Sequence, residues 1–172
     1  MAVDLDEIDR AILRLLQDNA RIANAEIGRV VGLSGQSVQE RIRKLETAGI
    51  VRGYEVVLDP LALGFAVTAF VEITVPSGRD YGTEYRSLTD FCNHESEVLE
   101  QHGVAGDIDL ILKVRSVDIP HLNALMDRLH AVTRAHTKTI IVLNSLKETQ
   151  RTPIAGTARA ANLSLVEDGG KD

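Results

Sequence analysis

The stretch Val31-Gly32-Leu33-Ser34-Gly35-Gln36-Ser37-Val38-Gln39-Glu40-Arg41-Ile42-Arg43-Lys44-Leu45 decides the fold. A helix running from about Asn24, with Ile27, Val30 and Val31 facing inward, ends at Gly32, since only glycine takes the left-handed turn without cost. Ser34 is placed to cap a further helix, because its hydroxyl can accept from a free first-turn N–H. That helix carries Val38, Ile42 and Leu45 on its inner face and stops at Gly49. Two helices joined by so short a glycine-containing turn are a helix-turn-helix arrangement.

At about 100° per residue, Gln36, Glu40, Arg43 and Thr47 fall opposite the apolar stripe, with Ser37, Gln39 and Lys44 flanking them. Gln can pair bidentately with adenine, Arg with guanine, and Glu can accept from cytosine. Arg41, Lys44 and the amides behind Ser34 suit phosphates. A solvated helix face has the same polar composition, so these residues alone leave both readings open.

Upstream, Leu5, Ile8, Ile12, Leu15 and Leu16 make one helical face, with Asp4 as its cap and Glu7 reaching back to it. Downstream, Ile50 to Leu58 is rich in β-branched residues and reads as an extended wing or hinge strand, broken by Asp59-Pro60. The first domain is therefore 1–60.

Beyond it, Val67, Ala69, Val71, Ile73 and Val75 alternate as a strand, and Tyr81, Tyr85, Leu88 and Cys92 recur at helical spacing. Strands follow at about 97–104 and 109–115. A helix capped by Asp118 then buries Leu122, Leu125, Met126, Leu129 and Val132, and a last strand spans 137–146. This βαββαβ order predicts an α+β, ferredoxin-like domain over 61–149. Such a sheet leaves one face without helices, which a second subunit would cover. Residues 150–172 show no clear period and read as a mobile tail, with a short helix around 158–163.

With 44% hydrophobic and 26% charged residues over 172 positions, the chain can bury a core. The net charge is −6, but residues 1–58 hold 8 cationic against 9 acidic side chains, so the acidic excess lies mainly in the second half. A DNA-binding surface would be a local patch. One cysteine, Cys92, excludes an intramolecular disulfide. No apolar run is long enough to span a bilayer, and the acidic first twenty residues do not have a signal-peptide pattern. These features predict a cytoplasmic protein with no membrane partner.

The order of elements, together with Leu5-Asp6-Glu7-Ile8-Asp9, Val31-Gly32-Leu33-Ser34, Arg41-Ile42, Leu45-Glu46, Gly49-Ile50 and Gly53-Tyr54, resembles the Lrp/AsnC (feast/famine) regulators. Val104-Ala105-Gly106-Asp107-Ile108-Asp109 resembles their glycine-aspartate turn, and residues 137–143 resemble their final strand. The resemblance covers residues 4 to about 148. It implies a winged helix-turn-helix with an ACT-like sensor domain, homodimers that often assemble into octamers, double-stranded DNA as partner and no cofactor. The effector would be a small molecule, usually an amino acid. Carried onto this chain, DNA contacts fall on Ser34, Gln36, Ser37, Gln39, Glu40, Arg41, Arg43 and Lys44. The effector site falls on His102, Gly103, Val104, Gly106, Asp107, Asp109, Thr139 and Ile140, where an aspartate could pair with an α-ammonium group. Gly106 and Asp107 also suit a plain tight turn. Ile108 departs from the aromatic residue the family often has between its two aspartates.

Two other classes compete. Siroheme-type decarboxylases resemble this family in fold and use histidines near a tetrapyrrole. Here His94, His102, His121, His130 and His136 form no pair in sequence. A ligand-binding module that has lost DNA binding is the other, supported by Glu40 and the near-neutral first domain. Cys92-x-His94 is too small a donor set for a zinc site, and Gly103-x-x-Gly106 lacks the lysine of a phosphate-binding loop.

Overall fold

The computed structural model describes residues 4–154, which divide into two units: residues up to Val56 together with those from Thr149 onward, and Val57–Glu148.

The first unit holds α1 (Glu7–Asp18), α2 (Asn24–Val31) and α3 (Gly35–Thr47). Ile12 and Leu13 of α1, Ile27 of α2, and Val38, Ile42 and Leu45 of α3 form its buried core. The cap of α1 is Asp6 rather than Asp4. The Asp9 N–H donates to Asp6 Oδ1 at 2.7 Å, and Asp9 Oδ2 accepts from the Asp6 N–H at 3.3 Å, a reciprocal box that displaces the expected Asp4–Glu7 pair. Val30 does not face inward but is 64% exposed. Gly28, not Val30, is the buried residue of that turn beside Ile27.

The α2–α3 turn is set by backbone contact. Gly32 closes α2 at φ +73°. A Cβ on Gly28 would lie 2.4 Å from the Leu33 carbonyl oxygen, so the chain passes where a side chain would stand. Ser34 caps α3 as expected, its Oγ accepting from the Ser37 N–H at 3.1 Å.

Residues 52–59 form no ladder among the described residues, and Val57 is 97% exposed. Residues 151–154, expected as the start of a mobile tail, are instead tied to α1. Arg151 pairs with Asp18 at 2.7 Å, Gln17 Nε2 donates to the Thr152 carbonyl at 3.1 Å, and Ile154 packs on the helical core. The expected helix at 158–163 lies outside the described residues.

The second unit holds β1 (Val67–Thr74), α4 (Tyr81–His94), β2 (Val98–Gly103), β3 (Leu110–Ser116), α5 (Ile119–Val132) and β4 (His136–Ile141). The sheet order is β2-β3-β1-β4, every neighbouring pair antiparallel, which is the ferredoxin-like arrangement. Ala69, Val71 and Ile73 of β1 and Leu110, Leu112 and Val114 of β3 pack against Leu88 and Cys92 of α4 and Leu122, Leu125 and Leu129 of α5. β4 stops at Ile141, short of the expected Leu146: Ile141 pairs with Ala69, and the partner strand begins two residues away at Val67. Leu143 and Leu146 are consequently exposed.

The opposite face of the sheet carries Phe70 beside Ile140, Glu72 beside Lys138, and Lys113 and Arg115 beside Glu148. No helix covers these residues in the described chain. They form a band of ion pairs around an apolar centre, with Glu72 to Lys138 at 2.9 Å and Arg115 to Glu148 at 3.0 Å.

Candidate nucleic-acid interface and effector site

α3 is held on one side by its apolar core, and its other side is open. Gln36, Gln39, Glu40, Arg43 and Lys44 are exposed, and their side chains make no hydrogen bond among the described residues. The Arg43 carbonyl accepts from Thr47 Oγ1 at 2.8 Å, which turns Thr47 back onto the helix. Ser34 and Ser37 share a contact between their hydroxyls at 2.8 Å, so both are partly occupied by capping.

Arg41 stands apart from its neighbours. Expected as a phosphate ligand, it is engaged within the chain: its Nη1 donates to Asp6 Oδ2 at 2.6 Å and to Asp9 Oδ1 at 2.8 Å. These bonds hold the guanidinium further into its charged form, the Asp9 bond acting most. The Asp6 carboxyl is held below the usual carboxylate range, chiefly by the Asp9 N–H and then by Arg41. Asp6 and Asp9 were not anticipated as partners of α3. Their signal in the sequence is only that of a helix cap.

At the C-terminal end of α3, Tyr54 Oη donates to Glu46 Oε1 at 2.9 Å and ties the following segment to the helix. Burial, followed by this neighbouring carboxylate, raises the Tyr54 phenol.

In the second unit the expected effector residues do not all converge. The turn from Val104 to Asp109 closes through the Val104 N–H to the Asp109 carbonyl at 3.0 Å, and the Asp109 N–H donates to the Ile73 carbonyl at 2.9 Å. The Asp109 side chain, expected to hold an ammonium group, is already spanned by protein. Its Oδ2 accepts from the Val75 N–H at 2.7 Å and its Oδ1 from Tyr81 Oη at 2.8 Å. The Tyr81 phenol is raised by this carboxylate. Among the described residues the Asp107 side chain has no comparable tie; its carbonyl accepts from Thr74 Oγ1 at 3.5 Å.

His102 pairs with Glu100 at 3.1 Å and is mostly exposed. Thr139 pairs with Val71 and Ile140 with Phe70, so their side chains point to opposite faces of the sheet. Within one chain, β4 lies two strands from β3, about 10 Å away at ordinary strand spacing. The glycine-aspartate turn meets the Ile73–Val75 end of β1, whereas Thr139 and Ile140 pair with Val71 and Phe70 further along that strand, and no hydrogen bond joins them to the turn among the described residues.

Sequence reasoning missed Tyr81 and Tyr85 of α4, which stack with ring centroids 6.0 Å apart. A Cβ on Gly103 would stand 3.2 Å from Tyr85 Oη, so the two phenols flank the turn. Their four-residue spacing signals only a helix.

The histidines are dispersed among local partners: His94 with the Asp90 carbonyl, His121 with Asp118, and His130 with Thr137. Among the described residues no group of three His, Cys, Asp or Glu side chains could hold a metal ion.

Comparison with known proteins agrees with this arrangement. The AsnC-type helix-turn-helix domain matches residues 5–46, and the Lrp/AsnC ligand binding domain matches residues 68–152. The chain is 33% identical over 155 residues to the HTH-type transcriptional regulator FL11 of Pyrococcus horikoshii, covering 90% of this chain and 99% of that protein. It is 36% identical over 157 residues to the leucine-responsive regulatory protein of Escherichia coli (strain K12), covering 86% and 90%. The feast or famine regulatory protein Rv3291c from M. tuberculosis, complexed with L-methionine, superposes with a TM-score of 0.78 at 31% identity, over 87% of this chain and 99% of that one. With a helix-turn-helix unit, a ferredoxin-like unit and full-length relatives of the same build, the chain belongs to the Lrp/AsnC family of transcriptional regulators.

Proposed function

We propose that this chain is a sequence-specific DNA-binding regulator of transcription that responds to a small metabolite, an amino acid. The observation that carries the reading is the outer face of α3. Gln36, Gln39, Glu40, Arg43 and Lys44 are exposed and unengaged among the described residues, on a helix fixed by its core and by the tight turn before it. Gln36, Gln39, Glu40 and Arg43 then read base edges, while Lys44 and the helix N-terminus at Ser34 and Ser37 meet phosphates. Arg41 drops out of the phosphate set because Asp6 and Asp9 hold it.

Amino-acid sensing is supported by a relative named as leucine-responsive and by one solved with L-methionine. The effector residues come together between sensor domains of different protomers. In that arrangement Gly103, Val104, Gly106 and Asp107 of one domain would meet Thr139 or Ile140 of another. The helix-free sheet face, with Phe70 and Ile140 at its centre, is the surface a second copy covers. A two-fold dimer sets two copies of α3 about one helical turn of DNA apart, so the operator is roughly palindromic. Among the described residues no helix is long and apolar enough to cross a membrane.

Selection of duplexes from a random pool tests the reading. Enrichment of two related half-sites one turn apart is expected, with Arg43→Ala relaxing preference at a single base per half-site. A pool that stays random after repeated selection would refute sequence-specific binding.

A further inference from the structure

The two carboxylates at the start of α1 divide their oxygens between two tasks. One oxygen of each closes the capping box: Asp6 Oδ1 accepts from the Asp9 N–H, and Asp9 Oδ2 from the Asp6 N–H. The other oxygen of each, Asp6 Oδ2 and Asp9 Oδ1, turns outward and meets the same Arg41 nitrogen, at 2.6 and 2.8 Å. The cap thus pre-orients a pair of acceptors, and α3 supplies the donor between them. Asp9 is the more buried of the two acceptors, at 17% side-chain exposure, and the arginine is at 30%.

We infer that Arg41 is a positioning residue for DNA recognition, clamped by Asp6 and Asp9 so that α3 keeps one rotation about its own axis. The inference rests on the DNA-binding reading above. The hydrophobic contacts of Val38, Ile42 and Leu45 fix which face of α3 meets the core, but they tolerate small rotations more readily than a directional bond does. A charge-assisted hydrogen bond is directional. Arg41 sits at the flank of the helix, one residue from Glu40 and three from Lys44, so a clamp there fixes the direction in which the outer side chains leave the helix.

Charge argues against the alternative role. Two carboxylates around one guanidinium leave the cluster with an excess negative charge, which repels a phosphate rather than recruiting it. Moving Arg41 onto DNA would expose both carboxylates beside the duplex.

The test uses the full chain as wild type, Arg41→Gln, Arg41→Lys, Asp9→Asn and the double Asp9→Asn/Arg41→Gln. Fluorescence anisotropy is read on a selected duplex and a scrambled one over a range of salt. Arg41→Gln is expected to weaken the selected duplex about tenfold and the scrambled duplex by much less, through the bared carboxylates alone, and to keep the slope of log affinity against log salt. Asp9→Asn weakens the selected duplex in the same way while tightening the scrambled one, since it frees a cation. The double variant is no worse on the selected duplex than Arg41→Gln alone, because both remove one shared interaction. Arg41→Lys recovers part of the loss.

The inference is overturned if Arg41→Gln weakens both duplexes alike and lowers the salt slope by about 0.9, the mark of a lost phosphate contact. Unchanged binding of the selected duplex by both single variants overturns it as well. Arg41→Gln alters a partly buried side chain at the helix flank and decides the matter even if Asp9→Asn unfolds, which circular dichroism reports. A wild type that does not discriminate the duplexes removes the DNA-binding reading itself, and that result is distinct from the others.

Discussion

Substituting Gly28 by alanine puts a methyl carbon 2.4 Å from the Leu33 carbonyl oxygen, where an ordinary C···O contact needs about 3.3 Å or more. Relief needs a shift of about 1 Å, and the atom in the way is backbone. Nor can Leu33 move freely, since its N–H donates to the Gly28 carbonyl at 2.9 Å. Overpacking against a fixed partner costs about 3 kcal/mol, and loosening that hydrogen bond about 1 kcal/mol more. Alanine returns about 1 kcal/mol through its higher helix propensity. The net loss is about 3 kcal/mol, which for a unit this small lowers the unfolding midpoint on the order of 15 °C. Circular dichroism of the full chain reads it as an earlier melt of the helical unit, accompanied by loss of DNA binding. Gly35→Ala is the internal control. Its Cβ would sit 3.3 Å from the Ala25 nitrogen, a misfit of tenths of an ångström, and it should cost less than about 1 kcal/mol. A Gly28→Ala chain as stable as wild type, or more stable as helix propensity alone predicts, would refute the reasoning.

Asp109→Ala leaves the partly buried Val75 N–H without its acceptor and should destabilise the sensor unit by about 1–3 kcal/mol, with Asp109→Asn milder; an unchanged melt with a lost effector response would instead make Asp109 a ligand contact. Cys92 is buried and its thiol is pushed up to about 11, so the native chain should resist alkylation until denatured, and rapid labelling of folded protein would contradict this. Asp6, Glu84, Glu95 and Glu148 titrate below their ordinary values in the folded chain, each held by hydrogen-bond donors. The unfolded chain therefore takes up protons first as pH falls. Stability is full above the ordinary carboxylate value of 4.5 and declines as pH drops through the lower folded values. Urea midpoints that stay constant below that value would count against these contacts.

Local pattern carried most of the fold. The spacing of Val38, Ile42 and Leu45, the Ser34 cap and the Gly32 stop all appear in the structure as read, and so does the alternation from Ala69 to Val75. What the sequence concealed depends on partners far along the chain. Arg41 meets carboxylates more than thirty residues upstream, and Asp109 meets Val75 and Tyr81 across the sheet end. Gln17 meets Thr152 over a separation of 135 residues. Among Asp4, Asp6, Glu7 and Asp9, periodicity allows more than one cap, and the pair observed is the one whose spare oxygens reach Arg41. Val30 shows the converse limit: an apolar residue next to the helical stripe points outward because Gly28 takes the inner position. The effector site was the least legible, since Thr139 and Ile140 lie on opposite faces of one strand and their partners belong to another protomer in the proposed assembly.

The central claim is that the free face of α3 reads DNA and that an amino acid modulates it. Anisotropy on the duplex upstream of the protein's own gene, set against a scrambled duplex at two salt concentrations, tests this most directly, with and without a mixture of amino acids. Preferential binding that weakens as salt rises is expected, with an amino-acid-dependent change in affinity or assembly size. Equal affinity for both duplexes, or a response to none of the amino acids in either property, would contradict it.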